Sequence, residues 1–177
     1  MDFTLSKEHR ALSVKAKEFT EQVLFPYEME CEENNGISPE THAKITAEVM
    51  SWGFNSTNHS KEHGGAGFTL FEQMLASEMF GMSTGAIWDA VPQCSFPMKF
   101  GTQEQIDEYL IPANQCKRRD AYAITEADAG SNPAQCQTTA VKCDGGYKIN
   151  GEKWYVTVGY VADFLLVHTP IDGDPEK

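Results

Sequence analysis

The sequence predicts an α+β protein: an N-terminal all-α helical domain over residues 1–119, then an incomplete antiparallel β-sheet or barrel domain over residues 120–177. Three observations predict it. Up to about Arg119, apolar residues recur at helical spacing. Beyond it, short apolar runs are broken by Gly and Asn. Helices therefore precede strands instead of alternating with them, which is the order of an α+β chain and not of a βαβ chain.

The first helix starts near Ser6, a good N-cap with Glu8 in the first turn. Leu5, Leu12, Ala16, Phe19 and Val23 fall on one stripe, and Pro26 stops the helix. The acidic stretch 28–35 reads as a loop or frayed end. Ser38-Pro39-Glu40 opens a second helix with Pro at the first helical position, and Gly53 stands where a C-terminal glycine belongs. Residues 53–67 are rich in Gly and small polar groups and read as a loop. Thr69-Leu70-Phe71-Glu72 is a capping box that opens a third helix, with Phe71, Met74, Leu75 and Met79 on its apolar face. A fourth helix or pair of turns covers roughly 84–99, interrupted by Pro92 and Pro97. Thr102-Gln103-Glu104-Gln105 is a second capping box, followed by Ile106, Tyr109 and Leu110 before Pro112.

The period then changes. Residues 121–125 read as a strand, and 134–142 as a second one ended by Asp144-Gly145-Gly146. Tyr147-Lys148-Ile149 alternates and meets Asn150-Gly151, a strong hairpin signal, so 153–157 is expected to return as a strand. Residues 161–168 form the last strand. A sheet left there exposes an edge, so either another chain covers it or this is the front part of something longer.

Composition bounds the function. The 177 residues suit one domain or two small ones, and 41% hydrophobic with 23% charged residues is a globular balance. Lys plus Arg number 14 against 26 Asp plus Glu, a net charge of −12 that argues against a general nucleic-acid binder. Lys117-Arg118-Arg119 is the one basic run and reads as a solvated loop. No apolar stretch approaches the ~18 residues of a membrane span, and residues 1–5 lack a signal pattern. The expectation is a soluble, cytoplasmic protein with no nucleic-acid partner and no membrane span. Five cysteines, an odd number without C-x-x-C spacing, read as packed or surface thiols.

Two motifs are weighed and set aside. His59-Ser60-Lys61-Glu62-His63 has the H-x-x-E-H spacing of an inverted zinc protease, but it lies between turn formers, not on a helix, and reads as a solvated loop with no metal. Gly64-Gly65-Ala66-Gly67 lacks both the G-x-G-x-x-G spacing and a preceding strand, so it is no dinucleotide turn. His9, His42 and His168 are isolated.

The chemistry concentrates in two later segments. Tyr122-Ala123-Ile124-Thr125 runs as a strand into Glu126-Ala127-Asp128-Ala129-Gly130-Ser131-Asn132, a loop of small residues with a hydroxyl and free amides. Such a loop lets backbone N–H groups approach an anion closely, although alone it is also an ordinary strand-to-loop exit. About 20 residues later stand Ile149-Asn150-Gly151-Glu152-Lys153-Trp154-Tyr155-Val156-Thr157. On a strand, Tyr155 and Thr157 share one face, and a ring plus a hydroxyl suits a flat heteroaromatic ligand. Taken alone, that strand reads first as ordinary cross-strand packing.

In this order and after a helical domain, the two segments resemble the acyl-CoA dehydrogenase family. That family's pattern is close to Y-x-x-T-E-P-x-A-G-S-D, then I-N-G-x-K-x-W-I-T-N-G. The resemblance extends to Lys61-Glu62-His63-Gly64-Gly65-Ala66-Gly67, to Gly101-Thr102-Gln103-Glu104-Gln105 with Tyr109-Leu110, and to the Met1-Asp2-Phe3 start. It implies FAD as cofactor and α,β-desaturation of an acyl-CoA substrate. It also implies electron transfer to a flavoprotein acceptor and a homo-oligomer in the full-length form. Carried over by position, Tyr122, Ala123, Ile124 and Thr125 lie along the flavin, with Thr125 bonding the ring. Ala129, Gly130 and Ser131 hold the pyrophosphate region, with Ser131 also near the acyl-CoA. Tyr155 packs beside the isoalloxazine, Val156 lies between, and Thr157 bonds near N5. The helix around 86–100 walls the acyl pocket.

Four residues depart from the pattern: Ala127 for Pro, Asn132 for Asp, Tyr155 for Trp and Val158 for Asn. Together they mark a divergent member or relaxed selection on flavin binding. The family's base is a Glu in a C-terminal helical domain. No position here matches it, and Glu126 and Asp128 are not promoted in its place. This chain alone is therefore expected to bind FAD weakly and to be inactive. The alternative is a non-catalytic, family-derived binding or interaction module.

Overall fold

In the computed structural model, residues 4–84, 87 and 90–171 are described. The chain divides into two compact units, Met1–Lys117 and Arg118–Lys177.

The first unit is helical. Helix α1 (Lys7–Phe19) is capped by Ser6, whose Oγ accepts from the His9 N–H at 3.1 Å. Pro26 does not end the helical path. The bonding widens to π geometry over Thr20–Leu24 and tightens to a 3₁₀ turn over Phe25–Tyr27. Proline lacks the N–H that the i−4 ladder needs, and the wider turn absorbs the loss. The same device recurs before Pro112: α5 (Gln103–Gln105) passes through a π stretch, Ile106–Leu110, into α6 (Ile111–Asn114).

Residues 28–35, expected as a loop, fold as α2 (Glu28–Asn34), ended by Asn35 at φ +53. Three of its acidic side chains are anchors. Glu30 accepts from the Ser38 N–H and the Thr41 hydroxyl, both at 2.8 Å. Glu28 accepts from the Thr84 N–H, and Glu32 meets the Thr84 hydroxyl. Helix α3 (Pro39–Trp52) starts at Ser38 and ends on Gly53 at φ +72, as the sequence predicts. Helix α4 (Leu70–Phe80) carries the full capping box of Thr69 and Glu72.

The core of this unit centres on Phe19, which is fully buried with its ring edge-on or tilted to Trp52, Phe54 and Phe80 at 5.2–5.7 Å. Of the expected α4 apolar face, Leu75 is buried, whereas Phe71 and Met74 are 42% and 55% exposed. The region expected as a fourth helix or pair of turns lies partly outside the described residues. Its described end is a 3₁₀ turn, Phe96–Phe100.

The loop 53–67 is not solvated at His59. That imidazole is buried, and its Nε2 lies 3.0 Å from the Cys94 carbonyl, which can only accept, so Nε2 carries the proton. Asn58 donates to the same carbonyl at 2.8 Å. Gly65 is required by close approach: a Cβ there would stand 2.4 Å from the His59 carbonyl oxygen. All five cysteines are free thiols.

Among its described residues, the second unit holds two two-stranded pairings. Strand β1 (Asp120–Ala123) pairs with β4 (Phe164–Val167), and β2 (Thr139–Cys143) pairs with β3 (Gly146–Asn150). The α+β class holds. The β2–β3 pair is antiparallel, but β1–β4 is parallel, with Ala121 opposite Leu165 and Ala123 opposite Val167. A parallel partner needs a long crossover, and the intervening chain supplies it.

The expected hairpin at Asn150-Gly151 is absent. The chain reverses at Asp144-Gly145 instead, with Gly145 at φ +79. Gly151 serves a different need. It sits at φ +149, and a Cβ there would lie 2.3 Å from Thr138 Oγ1 and 2.6 Å from Thr138 Cα. Nor do residues 153–157 return as a strand, because Tyr155 and Val158 take φ +53 and +57 and break the extended path.

Candidate functional site

The first motif half begins on β1. Ala121 and Ala123 are buried and Tyr122 is 37% exposed, so Tyr122 faces outward from the pairing with β4. Past the strand, Glu126 and Ala129 exchange backbone bonds, N–H to O at 2.9 Å and 3.3 Å. This closes a tight turn with Ala127 and Asp128 at its tip. Ala129 is buried beneath it, while Gly130 and Ser131 are exposed.

The second half is fastened directly to the first. The Lys153 ammonium donates to the Ile124 carbonyl at 2.9 Å and to Glu126 Oε1 at 2.8 Å. The Trp154 N–H donates to the Thr125 carbonyl at 2.8 Å. Two consecutive residues thus hold three consecutive ones. Glu126 also accepts from the Gln137 N–H at 2.5 Å and the Thr138 N–H at 3.0 Å. Both side chains of the ion pair are under one-tenth exposed. Burial pushes the Glu126 carboxyl up, but the Lys153 ammonium and the Thr138 and Gln137 donors outweigh it and hold it at about 2.

The structure therefore brings 124–126 and 153–154 together. It does not set Tyr155 and Thr157 on one strand face. Tyr155 is 83% exposed in left-handed backbone, Val156 is half-buried and Thr157 is exposed. The alternation argument fails here because it presumes an extended chain. No described residue accepts from the N–H of Gly130 or Ser131, or bonds the hydroxyl of Thr125, Ser131 or Thr157.

Sequence reasoning set Glu126 aside and passed over Lys153. The available signal was one of charge: the first half carries only carboxylates, Glu126 and Asp128, and Lys153 is the one cation of the second. Among the described residues, no group of three or more His, Cys, Asp and Glu can hold a metal ion. No described helix is long and apolar enough to cross a membrane. A surface hollow of 580 Å³ lined by Tyr27, Lys44 and Trp52 lies in the helical unit and contains no motif residue.

The acyl-CoA dehydrogenase N-terminal domain matches residues 6–116, and the middle domain of the same enzymes matches residues 121–177. The chain belongs to the acyl-CoA dehydrogenase family.

A short-chain specific acyl-CoA dehydrogenase of Clostridium acetobutylicum is 32% identical, over 97% of this chain and 46% of its own length. The solved FAD complex of PigA is 29% identical with a TM-score of 0.86, over 99% of this chain and 46% of that one. Butyryl-CoA dehydrogenase of Megasphaera elsdenii is 28% identical with a TM-score of 0.75, over 94% and 45%. The chain thus spans about half the length of the relatives it matches.

Proposed function

We propose that this acyl-CoA dehydrogenase family chain binds FAD on its β unit and contributes to α,β-desaturation of an acyl-CoA thioester. The observation that carries this reading is the fastening of Lys153 and Trp154 onto 124–126, beside the Gly130 and Ser131 N–H groups and the Ser131 hydroxyl, from which no described residue accepts. The donor set suits the cofactor. Two adjacent backbone N–H groups at Gly130 and Ser131, with the Ser131 hydroxyl, match a pyrophosphate. The Thr125 and Thr157 hydroxyls match the polar edge of a flavin ring, and the exposed Tyr155 ring is free to stack.

When bound, FAD supplies the hydride acceptor. The chain's own residues bind and orient. Thr125 bonds the ring, with Tyr122, Ala123 and Ile124 alongside. Ala129 supports the phosphate loop from beneath. Tyr155, Val156 and Thr157 approach from the second segment, and Ser131 also reaches toward the acyl-CoA. Glu126 is no base for the α proton, because a general base works best near the operating pH and this carboxyl sits at about 2 within an ion pair. The base, a flavoprotein electron acceptor and homo-oligomerisation follow from the family reading alone.

The test is flavin absorbance after purification with added FAD, together with acyl-CoA oxidation using an artificial acceptor. The expected result for the 177-residue chain is weak but saturable FAD binding without turnover. Turnover by this chain would refute the placing of the base elsewhere, and no binding in excess FAD would refute the cofactor reading. The second reading, a non-catalytic family-derived module, is favoured by one observation: Val158 occupies left-handed backbone where the pattern has Asn. It predicts a folded chain indifferent to FAD.

A further inference from the structure

The segment that follows Lys153 is strained. Tyr155 and Val158 both hold φ near +55, at +53 and +57, within four residues. An aromatic residue and a β-branched one rarely adopt this backbone, and such strain persists only where the surroundings over-determine it. Few local contacts do so. The Trp154 ring meets Tyr155 edge-on at 5.9 Å and donates to Glu152 at 2.6 Å. The Gly159 N–H closes on the Val156 carbonyl at 3.0 Å, and the Val161 N–H on the Val158 carbonyl at 3.0 Å. Tyr155, Thr157 and Tyr160 are exposed. The buried fastening lies on the N-terminal side: the Lys153 ammonium on Ile124 and Glu126, and the Trp154 N–H on Thr125.

Glu126 is tied on two sides. Gln137 and Thr138 donate to it from the chain that leaves the phosphate loop, and Lys153 from the second segment. It is the point where both halves of the motif and the loop between them converge. Lys153 also neutralises a carboxylate four residues before Gly130, where a pyrophosphate would otherwise face an uncompensated negative charge.

We propose that the Glu126–Lys153 pair is a positioning device that presets the strained 155–158 segment against Thr125, so that the flavin-facing surface exists before the cofactor arrives. The proposal rests on the FAD reading above for its purpose, though not for its geometry. Neither residue touches the cofactor in this scheme. Both act through Thr125, Tyr155 and Thr157, whose placement they fix.

Lys153→Met removes the charge and both donated bonds but keeps the apolar stem. Glu126 then retains its two backbone donors, so 126–138 stays tied while 153–160 is released. Hydrogen–deuterium exchange on the 177-residue chain without FAD should show 153–160 exchanging about tenfold faster or more, with 126–138 unchanged. FAD titrations, followed by flavin fluorescence and by visible circular dichroism of the bound ring, should show the affinity weakened about tenfold or more and the bound-ring signal altered. Lys153→Arg should recover both readouts. Glu126→Gln/Lys153→Met removes the unpaired charge as well, and a positioning role predicts that FAD affinity stays low. Recovery of affinity in the double variant would overturn positioning in favour of charge compensation alone. Unchanged exchange at 153–160 in Lys153→Met would overturn the proposal outright. Absence of FAD binding by the wild-type chain would refute the functional reading separately, leaving exchange to decide whether the pair sets the segment.

Discussion

Replacing Glu126 with Gln tests the electrostatics of the β unit with little change of shape. The native carboxyl sits at about 2 against an ordinary value of 4.5. At about 1.4 kcal/mol per tenfold change in acidity, that lowering is worth about 3 kcal/mol to the folded state. The sign follows from the folded group being the more acidic. Its contribution is complete above pH 4.5 and is lost as pH falls toward 2, because the unfolded chain takes up the proton first. Urea unfolding followed by tryptophan fluorescence measures this, with Trp154 reporting from the β unit itself. At pH 7 the variant should be less stable by about 3 kcal/mol, and by pH 2.5 the gap should close to about 1 kcal/mol. Comparing the two proteins at each pH cancels the half-buried carboxylates Glu30 and Glu72, which are also held below their ordinary value by hydrogen bonds. A gap that does not change with pH, or no gap at pH 7, would refute the reasoning.

Three further outcomes are expected. Gly151→Ala drives a Cβ into Thr138 at 2.3–2.6 Å and should cost about 2 kcal/mol or more, read as a lowered midpoint of thermal unfolding. Val158→Asn keeps the left-handed turn with a residue that tolerates it, and should raise stability by about 1 kcal/mol in urea unfolding. Phe19→Ala removes the fully buried ring packed against Trp52, Phe54 and Phe80, and should cost about 4 kcal/mol in the same assay.

The helical unit was largely legible because its signals are local. Ser6, Ser38, Thr69 and Thr102 mark helix starts by chemistry that acts within four residues, and each caps a helix start in the structure. Glu28–Asn34 was misread because its carboxylates find partners that local spacing does not reveal: Ser38 and Thr41 for Glu30, Thr84 for Glu28 and Glu32. Pro26 was misread because a π turn can absorb a missing donor.

In the β unit the errors come from long-range contacts. Asn150-Gly151 has the composition of a hairpin turn, but its glycine is demanded by Thr138, and only the folded chain brings Thr138 there. The pairing of β1 with β4 was hidden for the same reason, since parallel partners lie far apart in sequence. The family was legible by resemblance, and the loop with open N–H groups by its run of small residues. What joins the motif halves was not, because a buried ion pair between Glu126 and Lys153 is a relation between two segments and not a property of either.

The most direct test is hydrogen–deuterium exchange of the 177-residue chain with and without saturating FAD. If the β unit is a flavin-binding surface, protection should appear in 122–132 and 153–159 and spare the helical unit. No protection at either segment, or protection confined to the helices, would contradict it.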